Sequence, residues 1–555
     1  MNRRHFVQIS GTTLAGLLFL KQSLAGDPPV HLVRLPSTVM VKLDDGLHLL
    51  APSGADQWDY KDVRVFTRYA GEALKIIVQS PREPLHKIIL KWDYPQDTNT
   101  RILGDHWERS YGDLFFQPNL FGRKLPWYFI QHNGKSTVCF GVKTGSNSIC
   151  YWQMGNGSMQ LSLDTRSAGI GVSLGERTLN CAEVVATRST PAENAFGAAR
   201  RFCGMLCEKP RLPELPVYGI NDWYFAYGNN SYRLILEHTA RLANLVTDTH
   251  NRSFSVIDSG WAKYAPKLPG DCCWQEDFSR PNDKFGDMQK LAFEIRKLGM
   301  RPGLWTRPLA ARHDDPLTLL LPSIPGRDNP DNPILDPSIP ENLERIRRNI
   351  SIYKAWGFEL VKHDYSAYDI LGKWGFQMTD DITTSGWRFS DNTRTTAEIV
   401  LQLYQAIREA AGELYLIGCN TFSHLAAGIF ELNRIGDDTS GKEWARTKKM
   451  GVNAMGFRMI QHNRFYAADG DCVGLTREVP WAKNKQWMEL LAGSSAPLFI
   501  SAEPDALGAE QKSFIKTCFA RAAKKESIAE PLDWLTSQWP SKWRLDGQLR
   551  DFDWG

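Results

Sequence analysis

Two short acidic motifs end two apolar runs in the second half of the chain. They are Phe358-Glu359-Leu360-Val361-Lys362-His363-Asp364 and Asn433-Arg434-Ile435-Gly436-Asp437-Asp438-Thr439. Each run stops at a carboxylate with a cation close by, Lys362 in one and Arg434 in the other. Burying a carboxylate at a strand end is costly unless it is paired or used. Taken singly, either motif reads as a strand-end cap pairing with a local Lys or Arg. Two such ends in one chain supply what glycosidic bond cleavage requires, where one carboxylate attacks and another handles the proton.

The elements around these motifs must bring them together. From Val217 onward, short apolar strands alternate with longer amphipathic stretches. The strand runs are Val217–Ile220, Phe254–Asp258, Pro302–Trp305, Leu360–Lys362, Leu414–Gly418, Leu432–Ile435, Arg464–Ala468 and Pro497–Ile500. Eight strands in this pattern predict a (β/α)₈ barrel, with its chemistry at the strand C-terminal ends. Polar and aromatic residues gather at those ends: Asp222-Trp223, Asp258-Ser259-Gly260-Trp261, Trp305, Lys362 to Asp364, Cys419-Asn420, Arg434 with Asp437-Asp438, and Asp469-Gly470-Asp471. A doubly wound sheet gives a similar alternation but does not explain polar residues at nearly every exit.

Upstream, from Val30 to Ala186, short alternating runs separated by turn residues predict an all-β sandwich. A helix is expected from Pro191 to Cys207, ended by Pro210, Pro213 and Pro216. At 555 residues the chain exceeds one core. The expected organisation is a signal segment at 1–25, a β-sandwich at 26–190, a helical and Pro-rich linker at 191–216, a catalytic barrel at 217–525 and a tail at 526–555.

The signal reading rests on Arg3-Arg4 in a twin-arginine n-region, a weakly apolar run Ile9 to Leu20, and Ser23-Leu24-Ala25 before a cleavage point. It implies export to the periplasm or beyond, and its apolar run is too short to span a bilayer in the mature protein. Formal net charge is +4, and without Arg3, Arg4 and Lys21 the remainder carries +1. Nothing in that balance favours nucleic acid or an anionic membrane. The 19 Trp, 17 Tyr and 26 Phe could stack on sugar rings, although sandwich cores use aromatics too. Ten cysteines lack paired zinc spacing, so no metal and no cofactor are expected, and one or two disulfides are allowed. Homo-oligomerisation stays open.

With these motifs in place, residues 215–505 resemble the retaining α-galactosidases (melibiases), which join a (β/α)₈ barrel to β-sandwich domains. Leu360 to Asp364 resembles the family's strand-four Lys-x-Asp, which implies Asp364 as nucleophile. Arg434-Ile435-Gly436-Asp437-Asp438-Thr439 resembles its strand-six Arg-Ile-Gly-x-Asp-Thr, which implies Asp438, rather than Asp437, as acid/base. Gly418-Cys419-Asn420 is similar to the strand-five segment beside the sugar, and Ala468 to Cys472 to the strand-seven motif. The resemblance departs at strand two, where Ser259 stands in place of a second acid, and at strand three, where Thr306-Arg307-Pro308 replaces an acidic stretch. Both changes fall among substrate-reading positions.

For those roles Lys362, two residues before Asp364, would face the same way and hold it ionised. Asp437 would help keep a proton on Asp438. Arg434 offers donors to a sugar hydroxyl, with an ion pair to Asp437 as the structural alternative. Asp258, Lys362 and Cys419 are further substrate-binding candidates. Trp223, Trp261 and Trp305 could wall the apolar sugar face, core packing being the alternative for each. In the sandwich, Gly104 to Asp113 forms a polar-aromatic loop from which Asp105 or Trp107 could reach the sugar.

The expected substrate is a carbohydrate with terminal α-linked galactose. An α-N-acetylgalactosaminidase or another α-glycosidase of the clan is the nearest alternative, given Ser259. An enolase-like barrel would need carboxylates at three consecutive strand ends, and strand five ends in Cys419-Asn420 instead. A catalytically inactive sugar-binding barrel would have little reason to keep both Asp364 and Asp438.

Overall fold

The computed structural model describes residues 32–97, 99–264, 275–323, 333–525 and 528–555. The expected signal segment, Cys272 and Cys273 lie outside the described residues. The chain combines antiparallel and parallel sheets with helices.

Residues 38–188 build two antiparallel sheets, one of six strands and one of nine. Their strands carry the alternating burial that a half-covered sheet requires, as in Val63–Ala70 and Ala73–Ser80. Trp152 of the smaller sheet, stacked on Trp92 of the same sheet, meets Phe129 and Phe140 of the larger. The helix Ala195–Leu206 follows, N-capped by the Asn194 side chain.

Between Tyr218 and Ala502 a parallel sheet follows, its strands buried except at the first residue of two of them. In chain order they are Tyr218–Asn221 (strand one), Phe254–Ile257 (two), Arg301–Thr306 (three), Leu360–His363 (four), Tyr415–Gly418 (five), Leu432–Arg434 (six), Ala467–Asp469 (seven) and Leu498–Ala502 (eight). Strands one to seven each pair with the next in sequence, and strand eight pairs with strand one. A further segment, Cys472–Leu475, pairs with strand eight. Only Gly470 and Asp471 separate it from strand seven, so the two edges of the sheet meet at that kink. Asp471 holds a φ of 75°, which turns the chain between the two pairings.

Helices connect these strands, including Tyr232–Ala243, Met288–Lys297, Pro340–Trp356, Thr396–Ala411 and Trp481–Gly493. Ser231, Asp287 and Thr395 cap three of them at the N-terminus, Thr395 with Glu398 as a reciprocal box. No helix among the described residues is long and apolar enough to cross a membrane. The eight described cysteines are all buried free thiols, so the allowed disulfides do not form among them.

The antiparallel sheets and the parallel sheet are joined by a buried staple. Arg458, at the end of the helix Asn453–Arg458, gives Nε to Asp105 Oδ1 at 2.7 Å, Nη1 to the Ile435 carbonyl at 3.0 Å and Nη2 to the Glu108 carbonyl at 2.7 Å. The loop holding Asp105 lies close on its partner. At Gly112, φ is 77° and a Cβ would sit 2.4 Å from the Lys449 carbonyl oxygen. The tail is a three-stranded sheet, Glu530–Pro531, Lys542–Leu545 and Gln548–Asp551, and its Trp534, Trp543 and Trp554 are buried.

Removing one member of a buried ion pair strands the other. Arg458→Met should therefore cost about 3–5 kcal/mol of stability, because Asp105 keeps only the Gln461 Nε2 donor. Denaturant unfolding followed by tryptophan fluorescence checks this. A variant that unfolds with the parent would mean the staple carries no stability.

Candidate active site

Five side chains at the C-terminal ends of the parallel strands converge on one pocket: Trp223 after strand one, Asp258 after two, Trp305 in three, Asp364 after four and Asp438 after six. Lys362, Ser259 and Tyr365 complete its lining. Strand-end convergence of this kind follows from the fold, since every parallel strand delivers its exit to the same face.

Three N–H donors fix the Asp364 carboxylate. Oδ1 accepts from the Tyr365 backbone at 2.7 Å and the Asn420 backbone at 3.1 Å, and Oδ2 accepts from Trp305 Nε1 at 3.1 Å. Tyr365 sits at a φ of 66°, a costly setting for a non-glycine residue that aims its N–H back at the carboxylate. Trp305 thus acts as a donor to Asp364 as well as a wall of the pocket.

Lys362 does not serve Asp364, contrary to the sequence expectation. Its Nζ lies 2.7 Å from Asp258 Oδ2, which also accepts from Asn221 Nδ2 at 2.7 Å. Burial opposes the ammonium charge, yet the Asp258 carboxylate outweighs it and holds Lys362 well above the usual lysine range. Behind Asp258, Asp222 accepts the Asp258 backbone N–H at 2.7 Å and Asn230 Nδ2 at 2.7 Å. Burial, then the neighbouring Asp258 charge, pushes Asp222 up to about 7.

Asp438 is clamped by cations. Its Oδ1 is 3.2 Å from Arg434 Nη2 and 3.5 Å from Arg109 Nη1. Although burial opposes ionisation, Arg434 and then Arg109 pull Asp438 below the ordinary carboxylate range. The expected help from Asp437 in keeping a proton there is absent, because Asp437 is itself paired with Arg109 at 2.7 Å and Arg446 at 2.9 Å.

Three of the residues expected to touch substrate stand behind the pocket instead. Trp261 is fully buried, its ring packed against Phe278, Tyr353 and Trp356 and its Nε1 given to the Trp305 carbonyl, so core packing claims it. Arg434, 1% exposed, spends Nη2 on Asp438 and on Asp471 at 2.9 Å rather than on Asp437 or open space. Cys419 is buried against the same guanidiniums, 3.5 Å from Arg434 Nη1 and 4.0 Å from Arg109 Nη1.

The loop Gly104 to Asp113 does reach the site, but through other residues than expected. Asp105 is committed to Arg458 and Gln461, and Trp107 is buried with Nε1 on the Cys150 carbonyl. Ser110 forms a parallel bridge with Gly436, giving its N–H to the Ile435 carbonyl and accepting from the Asp437 N–H. That bridge places Arg109 on Asp437 and Asp438. It also places Glu108, whose Oε1 accepts from the Gly375 backbone at 2.5 Å and from the Tyr111 hydroxyl, against Asn420 Nδ2. Glu108 thereby braces the residue whose backbone N–H holds Asp364. Neither role carries a local sequence signal, because each contact spans more than 300 residues. Among the described residues no three His, Cys, Asp or Glu side chains are grouped to hold a metal ion.

No protein-family model and no curated protein matches the chain. Solved structures match its fold over most of its length. TtGalA, an α-galactosidase from Thermus thermophilus in complex with p-nitrophenyl α-D-galactopyranoside, superposes with a TM-score of 0.59 at 15% identity, covering 93% of this chain and 99% of that one. A GH36 α-galactosidase variant from Geobacillus stearothermophilus in complex with 1-deoxygalactonojirimycin gives 0.58 at 13% identity, covering 88% and 76%. The α-galactosidase from Lactobacillus brevis gives 0.56 at 13% identity, covering 88% and 73%. At these identities the likeness is one of fold.

Glu108 links the site to stability. Burial first, and then the Asp437 charge, push it up to about 7 against the pull of Arg109, from an ordinary glutamate value of 4.5. Its folded value lies above its unfolded one, so its contribution is fully present below about pH 4.5 and is lost as pH rises through about 7. Relative to Glu108→Gln, the parent should lose about 3 kcal/mol of unfolding free energy between pH 4.5 and pH 8. Unfolding measured across that range checks this, and parallel profiles would contradict it.

Proposed function

We propose that this protein is a retaining α-glycosidase that hydrolyses terminal α-linked galactose from oligosaccharides or glycan side chains. In this reading the parallel sheet is a (β/α)₈ barrel and the two antiparallel sheets are a β-sandwich packed on it. The carrying observation is the pair Asp364 and Asp438, which line one pocket at the exits of strands four and six. The fold shared with α-galactosidase structures supports the same reading. Residues 1–25, with their twin-arginine start, lead us to infer export of the folded protein.

Asp364 Oδ attacks the anomeric carbon and the glycosidic C–O bond breaks, while Asp438 gives its proton to the departing oxygen. The sugar is then held as an ester of Asp364. Asp438, now a carboxylate, takes a proton from water; the water oxygen bonds to the anomeric carbon and Asp364 leaves as a carboxylate. Trp305 and the Tyr365 and Asn420 backbones hold Asp364 in line for attack. The Lys362–Asp258 pair presents a donor and an acceptor to sugar hydroxyls at the pocket floor. Ser259 offers a hydroxyl rather than a carboxylate beside them, which makes N-acetylgalactosamine the competitor to test.

The first step needs Asp438 protonated, and its cations disfavour that state. For substrates with a poor leaving group, kcat/KM should therefore fall steadily as pH rises across the neutral range.

Nitrophenyl α-glycosides of galactose, N-acetylgalactosamine and glucose test the assignment. Galactoside hydrolysis is expected, and cleavage of none of the three would remove it. Asp364→Ala should lose nearly all activity on every substrate. Asp438→Ala should lose about 10²–10⁴ on an unactivated galactoside and recover most of it on a dinitrophenyl one. Recovery in Asp364→Ala instead would exchange the two roles.

A further inference from the structure

Asp438 is met by charge from four directions. Arg434 comes from its own strand, Lys362 from strand four, Arg446 from the helix Trp444–Thr447, and Arg109 from the antiparallel unit. Tyr224, on the helix Trp223–Ala226, Tyr227 at that helix's C-terminus, and the carboxylates Asp437 and Asp471 are further ionisable neighbours on the elements packed there.

Most of those cations have another anion. Lys362 pairs with Asp258 and Arg434 with Asp471, while Arg109 and Arg446 share the single carboxylate of Asp437. That sharing leaves neither arginine a carboxylate of its own there, and Arg109 also stands 3.5 Å from Asp438. Arg109 is the better placed of the two to act on Asp438. Its Nη1 stands 3.5 Å from Asp438 Oδ1 while facing the Cys419 Sγ, its guanidinium lies over the Trp374 ring at 5.3 Å, and its side chain is 7% exposed. Arg446 reaches Asp437 from a side chain that is 41% exposed, where water screens it. Among the described residues the buried Arg109 Nε has no hydrogen-bond partner, so the guanidinium has been taken from water at a cost that its carboxylate contacts, with the Trp374 ring, offset.

We propose that Arg109 is a positioning residue, supplied by the antiparallel unit, that controls the proton on Asp438. It keeps the strand-six carboxylate ionised in the empty pocket and supports it as the base of the second step. The inference rests on the acid/base role given to Asp438 above and deepens it, since a residue outside the barrel sets the pH range of the reaction. The direction of the Asp438 shift agrees with this placement.

Carbon NMR of the full-length protein labelled at the aspartate carboxyl carbon tests the proposal without requiring a substrate. The Asp438 signal is identified by its loss in Asp438→Asn. Arg109→Met should raise the Asp438 titration midpoint by about one pH unit or more, whereas Arg109→Lys should keep it near the parent. Asp437→Asn removes the competing anion and should lower it. Should Arg109→Met not fold, Arg109→Gln removes the charge while keeping a polar side chain. With an unactivated galactoside, the high-pH limb of kcat/KM should rise with the NMR midpoint; with a dinitrophenyl galactoside it should not. An unmoved Asp438 titration in a folded, charge-removed variant overturns the proposal. A moved titration in a protein that cleaves no galactoside would instead overturn the function and leave the charge coupling standing.

Discussion

The C-terminal mouth of the parallel sheet gathers Asp222, Asp258, Asp364, Asp438, Asp469 and Asp471 within one partly desolvated space. Carboxylates so placed must be paired, protonated or given donors, or the mouth would not stay closed. The chain uses all three solutions. Asp258 takes Lys362, and Asp471 takes Arg434 together with the Thr439 N–H and hydroxyl. Asp222 and Asp469 are pushed up to about 7 and about 6, mainly by burial, and so approach the neutral form. Asp364 is left with N–H donors only and an open face to the pocket, which suits a nucleophile.

The antiparallel unit takes part in that balance as more than a lid. One loop supplies a carboxyl and a guanidinium in succession, Glu108 behind the strand-five exit and Arg109 on the strand-six exit. The loop keeps its place through the Arg458–Asp105 staple and the Ser110–Gly436 bridge. The C-terminal segment braces its far side: Gln538 gives Nε2 to the Gly112 carbonyl, and the Trp534 ring packs edge-on to Phe116. Three stretches distant in sequence therefore bear on the same two carboxylates.

The strands and their polar exits were legible because each apolar run ends abruptly at a residue that is expensive to bury. Trp223, Asp258, Trp305, Lys362, Asp364 and Asp438 could be picked out that way, and all six line the pocket. Pairing was much less legible. Lys362 and Asp364 share a strand, but the lysine's partner comes from strand two, a geometry that sequence spacing does not encode. Trp261 follows an acidic strand end as a sugar-stacking residue would, yet its ring turns into the helix layer against Tyr353 and Trp356. Arg109 stands in an ordinary polar loop and gains its meaning only when that loop docks on residues 435–437. The break in strand seven depends on the positive φ of Asp471, a residue whose type gives weak warning of it.

The central claim is that Asp364 forms a covalent bond to the sugar, with Asp438 handling the proton on both legs. Proton NMR of the first sugar released from an α-galactoside, recorded before mutarotation, tests it most directly. Two displacements at the anomeric carbon predict the α-anomer first. Release of the β-anomer first would mean a single displacement by water, and Asp364 could not be the nucleophile.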